Sequence, residues 1–77
     1  MKALSARRLQ ILDYLAERAD YYPPSIRQIG EAVGLRSSMT IHGHLMALED
    51  LGLITHDVRL SRTTRLTDSG RRALAAG

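Results

Sequence analysis

His42 and His44 form a His-x-His pair, and His56 is the third histidine of the chain. Such a set invites metal coordination. On a helix, however, residues i and i+2 point about 200° apart, so one ion cannot easily take both. No metal and no other cofactor is expected. Catalysis has less support still, because the chain has no cysteine, no pair of carboxylates in a plausible pocket and no glycine-rich phosphate loop. Its serines stand where helices need caps. The sequence reads as a non-enzyme, and no small-molecule ligand is evident.

The chemistry that the composition favours is the binding of phosphate. Ten of the 11 Lys and Arg residues are arginine, and the formal net charge is +3. The planar guanidinium fork matches phosphate oxygens better than an ammonium does. Met1 to Leu12 carries Lys2, Arg7 and Arg8 with no acid, Ala32 to Leu48 carries no acid, and Arg59 to Leu66 carries Arg59, Arg62 and Arg65 with no acid. Segregation of this kind gives one face a positive potential, as a nucleic-acid binder requires. The plainer alternative is that arginines solvate a small surface. Arg7, Arg8, Arg36, Arg59, Arg62 and Arg65 are the candidates for phosphate contacts.

From about Met39 to Leu51, apolar residues recur at Ile41, Leu45, Leu48 and Leu51, just before Gly52. This i, i+4, i+7, i+10 spacing predicts a helix with that stripe turned inward. A rotation of about 100° per residue then places Met39, Gly43, Met46 and Asp50 on the opposite face, with His42 beside them. His44 falls toward the buried side, as a hydrogen-bonded packing residue. A glycine on an exposed helix face costs close to 1 kcal/mol relative to alanine, roughly, so a demand other than helix stability has set this face. A DNA groove supplies one. Gly43 lets the backbone approach closely, Met39 and Thr40 can touch thymine methyls, and His42 can hydrogen-bond a base edge or a phosphate. The first turn, Ser38 to His42, would do most of the reading, with its free amides aimed at phosphate. The competing view is a protein-interaction module in which Met39 and Met46 cover a partner and DNA contact is incidental.

The rest of the chain has to position that helix. Ser5 can cap a first helix over about Ala6 to Ala19, whose apolar residues are Ile11, Leu12, Leu15, Ala16 and Ala19. Pro23-Pro24 then holds the backbone extended. Ser25-Ile26-Arg27-Gln28 has the capping-box form, so a second helix starts at Ile26, buries Ile26, Ile29 and Val33, and stops at Gly34. Ser37 or Ser38 offers the next cap. Two short helices joined by a turn of about four residues, the second longer, have the layout of a helix-turn-helix, with a plain helical hairpin as the alternative. Leu53 to Asp57 and Thr63 to Thr67 are β-prone and flank Val58 to Arg62, forming a hairpin, the wing. Thr67 and Asp68 can start a last helix, about Asp68 to Ala75, in which Gly70 costs roughly 1 kcal/mol.

The expected fold is therefore mostly α with a small β-hairpin: a winged helix-turn-helix of three core helices, a wing and a short C-terminal helix, in one domain over residues 1–77. With no Phe, Trp or Cys, its core must be aliphatic and unstapled. No apolar run approaches the ~18 residues of a membrane span and no secretory signal is evident, so a soluble cytoplasmic protein is expected.

The stretch Tyr22-Pro23-Pro24-Ser25-Ile26-Arg27-Gln28-Ile29-Gly30-Glu31-Ala32-Val33-Gly34-Leu35 resembles the N-terminal DNA-binding domain of the LexA family, the SOS-response repressors. The likeness runs on through Ser37-Ser38, Ile41-His42-Gly43-His44-Leu45, Ala47-Leu48-Glu49 and Gly52-Leu53-Ile54, includes Leu4-Ser5-Ala6-Arg7, and covers about residues 2–56. It is nearest to the Gram-positive form. The resemblance implies a winged helix-turn-helix that binds a palindromic double-stranded DNA operator as a homodimer and represses transcription. By position it gives base reading to Ser37, Met39, Thr40, His42 and Gly43, with Arg7 near phosphate. Met39 replaces the small polar residue usual there. The link before Pro23 is shorter than usual, and the wing and Thr67-Asp68-Ser69-Gly70 look more like other winged-helix regulators. The family's self-cleaving serine-lysine domain, which supplies most of its dimerisation, is absent from these 77 residues. A fragment of a longer repressor and a free-standing domain are both open.

Overall fold

The computed structural model describes residues 5–18, 22–57 and 64–76. Helix α1 (Ala6–Glu17) begins where Ser5 Oγ accepts the Arg8 amide at 3.2 Å. Its last residue is Glu17, and the Arg18 amide that follows is shared between the Tyr14 and Leu15 carbonyls, both at 3.2 Å; the expected end at Ala19 lies outside the described residues. In α2 (Ile26–Val33) both arms of the capping box are made. The Gln28 amide donates to Ser25 Oγ at 3.1 Å and the Ser25 amide to Gln28 Oε1 at 2.9 Å. Gly34 then takes φ 76°, a left-handed conformation that lets the Leu35 amide reach back to the Gly30 carbonyl at 2.8 Å.

Helix α3 spans Ser38–Asp50, one residue earlier at each end than its apolar spacing predicts. Ser37, not Ser38, is the cap, and its Oγ accepts the Thr40 amide at 3.3 Å. At the other end Gly52 (φ 75°) sets a Schellman closure, with Gly52 N–H on Glu49 O at 2.9 Å and Leu53 N–H on Leu48 O at 3.0 Å. Leu51, expected on the buried stripe, therefore sits in the cap and is 58% exposed. Ser37→Ala should cost about 1 kcal/mol of stability, and urea unfolding would measure it. An unchanged midpoint would mean that the cap does not hold the helix start.

Strands β1 (Ile54–Thr55) and β2 (Arg65–Leu66) pair antiparallel, Ile54 opposite Leu66 and Thr55 opposite Arg65. They are shorter than the runs expected from Leu53 to Asp57 and Thr63 to Thr67. The Leu53 amide is taken up in closing α3, while its carbonyl accepts the Thr67 amide at 3.0 Å, which carries the hairpin register one pair further, Leu53 opposite Thr67. The expected hairpin tip from Val58 to Arg62 lies outside the described residues. Thr67 then starts α4 (Asp68–Ala76), its Oγ1 accepting from the Gly70 amide at 3.0 Å and donating to the Gly52 carbonyl at 2.7 Å. One hydroxyl thus ties the cap of α4 to the turn that ends α3.

The core is aliphatic. Ile11, Leu12 and Leu15 of α1, Ile29 and Val33 of α2, and Ile41, Leu45 and Leu48 of α3 meet Leu53, Ile54 and Leu66 of the hairpin and its approach. Ile26, Ala16 and Leu74 pack half-buried against them. Two glycines allow this closeness. A Cβ on Gly30 would collide with Ile41 Cδ1 and lie 2.9 Å from Leu35 O. A Cβ on Gly70 would collide with Leu53 O and lie 2.8 Å from Leu66 Cδ1. Gly70, which by propensity alone only weakens α4, is what lets α4 lie on the hairpin. Among the described residues no helix is long and apolar enough to cross a membrane.

Candidate nucleic-acid interface

With Ile41, Leu45 and Leu48 buried, the opposite side of α3 is left open. Met39 is 84% and Met46 63% exposed. Ser38, Thr40, His42, Gly43 and Asp50 are exposed with them. A Cβ added to Gly43 would meet nothing within 4 Å, so no intramolecular packing calls for glycine there. Ser37 caps the helix through its oxygen lone pair, which leaves its hydroxyl proton available to donate. Ser38, His42 and the exposed Arg36 also line an open groove of about 870 Å³ between α2 and α3, whose floor is Gly30, Leu35 and Ile41.

The six arginines expected at phosphates do not share one environment. Arg7 reaches across to α2, where Nη1 donates to the Val33 carbonyl, a cation on the negative end of that helix. Arg8 donates from Nε to His44 Nδ1 at 3.2 Å. An arginine cannot accept and stays charged, so His44 must present a lone pair at Nδ1 and carry its proton on Nε2. His44 is thus a half-buried packing residue held from α1, while His42 is exposed. Both arginines keep N–H groups for other partners, since a guanidinium has five. Arg36 lies at the helix-turn-helix turn and Arg65 on β2, both exposed. Arg59 and Arg62 lie outside the described residues.

Three further features escaped the sequence reading. His56 Nδ1 lies 2.6 Å from Glu49 Oε2, joining the hairpin to the last turn of α3. The two residues border a groove of about 310 Å³ between α3 and the hairpin, lined also by Ile26, His42, Met46 and Thr64. Arg65 shares a small pocket with Arg18, the residue that caps the end of α1, and Arg71 of α4. None of these pairings has a sequence signature, because each joins different elements across a turn or across the fold and follows no helical or strand period. Among the described residues no three of His, Cys, Asp or Glu come together as a metal site would need.

This arrangement is a helix-turn-helix whose second helix has an open outer face, with a flanking hairpin and arginines around both. A family model described as the LexA DNA binding domain matches residues 1–63. The chain belongs to the LexA DNA-binding domain family. The match extends beyond the 2–56 stretch that carries the resemblance. A LexA repressor from an Exiguobacterium species is 56% identical over 71 residues, covering 88% of this chain and 34% of the relative. The LexA-family chain described here thus spans about a third of the length of the curated relatives it matches. Among solved structures, MepR, a transcription regulator of a Staphylococcus aureus multidrug efflux pump, superposes with a TM-score of 0.82 at 24% identity, over 95% of this chain and 54% of MepR. A variant of MepR bound to an oligodeoxyribonucleotide gives 0.77 at 26% identity, with the same coverage. The fold is that of winged-helix regulators, and this LexA-family member is a DNA-binding domain.

Proposed function

We propose that residues 1–77 act as one unit that binds a palindromic, SOS-type operator as a homodimer in the cytoplasm and represses transcription. The observation that carries this reading is the face of α3: exposed, built from Met39, Thr40, His42 and Gly43, and holding a glycine for which the fold itself has no use. In the reading, Ser37, Ser38, Met39, Thr40, His42 and Gly43 meet base edges in the major groove. Arg7, Arg8, Arg36, Arg59, Arg62 and Arg65 neutralise phosphates. Repression is supported by the relatives, which carry the name LexA repressor.

Selection from a random duplex library tests sequence reading and symmetry together, since a recovered inverted repeat reports both half-site and spacing. No enriched sequence, with tight capture of a protein partner on Met39 and Met46, would favour the interaction-module view instead. If six phosphates are neutralised, log Kd should change with log salt at a slope of magnitude about 5. Affinity that does not respond to salt would defeat the proposal.

A further inference from the structure

We infer that Arg27 of α2 holds one backbone phosphate of the operator, on a strand lying in the groove between α2 and α3, and that it leaves Glu31 to do so. This contact rests on the DNA-binding reading above and adds a residue that belongs to none of the acid-free runs of the sequence. Arg27 and Glu31 line the α2 side of the groove, and Ser38 and His42 line its α3 side. The groove is therefore continuous with the open face of α3. A DNA strand that borders that face runs directly along it, past Arg27 at the start of α2 and Arg36 at the turn.

Helix stability does not explain where the pair stands. A helix favours acids in its first turn and cations in its last, and an i, i+4 pair is better with the acid first. Helix α2 has neither an acid in its first turn nor a base in its last. Arg27 is instead its second residue and Glu31 the third from its end, so both charges oppose the dipole and pair in the weaker order. Their contact is slight. Arg27 Nε lies 3.9 Å from Glu31 Oε2, and the two side chains are 88% and 67% exposed. That separation is too long for a hydrogen bond, and an exposed ion pair contributes little. A guanidinium meets a phosphate with two parallel N–H bonds at about 2.7–2.9 Å, so the exchange of Glu31 for a phosphate favours the phosphate. With DNA bound, the misplaced cation becomes an asset, because its charge adds to the positive end of α2.

The test is a methylphosphonate scan of the selected duplex against the whole chain, in which each backbone phosphate is neutralised in turn. Arg27→Gln should weaken binding about tenfold and lower the salt slope by about 0.9. One phosphate position whose neutralisation costs the unaltered chain about tenfold should cost this variant nothing further. Arg27→Lys should recover part of the affinity. The Tm of Arg27→Gln should hold or rise, since a charge opposed by the dipole has gone. Glu31→Gln should tighten binding to selected and scrambled duplexes alike, by about threefold. Arg72→Gln removes a charge from α4 and should leave the phosphate profile as it is in the unaltered chain. The same profile in Arg27→Gln as in the unaltered chain would overturn the contact, as would a weakening no larger than that of Arg72→Gln. Equal affinity of the unaltered chain for selected and scrambled duplexes would instead sink the reading by α3. Arg27 would then be judged on the scrambled duplex: a salt slope lowered in Arg27→Gln supports the contact, and an unchanged slope overturns it.

Discussion

Gly43→Ala is expected to make the domain more stable and a poorer binder at once. The added Cβ meets nothing within 4 Å in the free protein, so stability should rise by the full helix-propensity difference, about 1 kcal/mol. In a groove the same methyl sits where backbone and base edges must approach. Forcing extra methylenes into a packed interface costs about 1–3 kcal/mol, or about 5- to 150-fold in Kd. Gly43→Leu should keep most of the gain in stability and lose specific binding further, while binding to scrambled duplex at low salt changes little. His42→Ala is the companion: it should cost about 1–3 kcal/mol and relax preference at one base. Thermal melts and fluorescence anisotropy on selected and scrambled duplexes separate the effects. If both Gly43 variants bound as well as the parent, α3 would not enter a groove through this face.

The parts of this fold that were legible in the sequence are those decided within one turn of chain. The capping box of Ser25 and Gln28 and the glycine after Val33 fixed α2, because caps join groups three to five residues apart. The stripe of Ile41, Leu45 and Leu48 oriented α3, and with it the open face, since a helix allows only one opposite side. Leu51 was misplaced because the same spacing continues into a residue that the Schellman closure turns outward. The arginines were harder. Arg7 and Arg8 carry the same charge as Arg36, yet they reach Val33 and His44, and a long flexible side chain leaves no periodic trace of its target. The gathering of Arg18, Arg65 and Arg71 likewise follows from how α1, the hairpin and α4 meet, which no local pattern encodes.

Gly70→Ala should have the opposite sign to Gly43→Ala, although both place a methyl in the interior of a helix. Propensity alone predicts a gain of about 1 kcal/mol for each. At Gly70 the new Cβ falls on the Leu53 carbonyl and within 2.8 Å of Leu66 Cδ1. Backbone cannot swing aside as a side-chain end can. That carbonyl also accepts the Thr67 amide, and Thr67 Oγ1 caps α4 while holding the Gly52 carbonyl. If α4 backs away, it loosens its own cap, the anchor of the turn after α3 and the cover over Leu66. Overpacking of this kind costs about 1–3 kcal/mol, and the loss of the linked hydrogen bonds puts the outcome near the top of that range. A chain of this length has only about 4–12 kcal/mol of stability in total, and each kcal/mol moves Tm by about 4–8 °C. A fall in Tm of about 10–20 °C is therefore expected. The clash lies behind the hairpin, not on the open face of α3, so duplex at about a hundred times Kd should return about 2.7 kcal/mol by mass action. An unchanged or higher Tm would mean that α4 is not seated on the hairpin. The same glycine would then be the propensity defect that it resembles in the sequence.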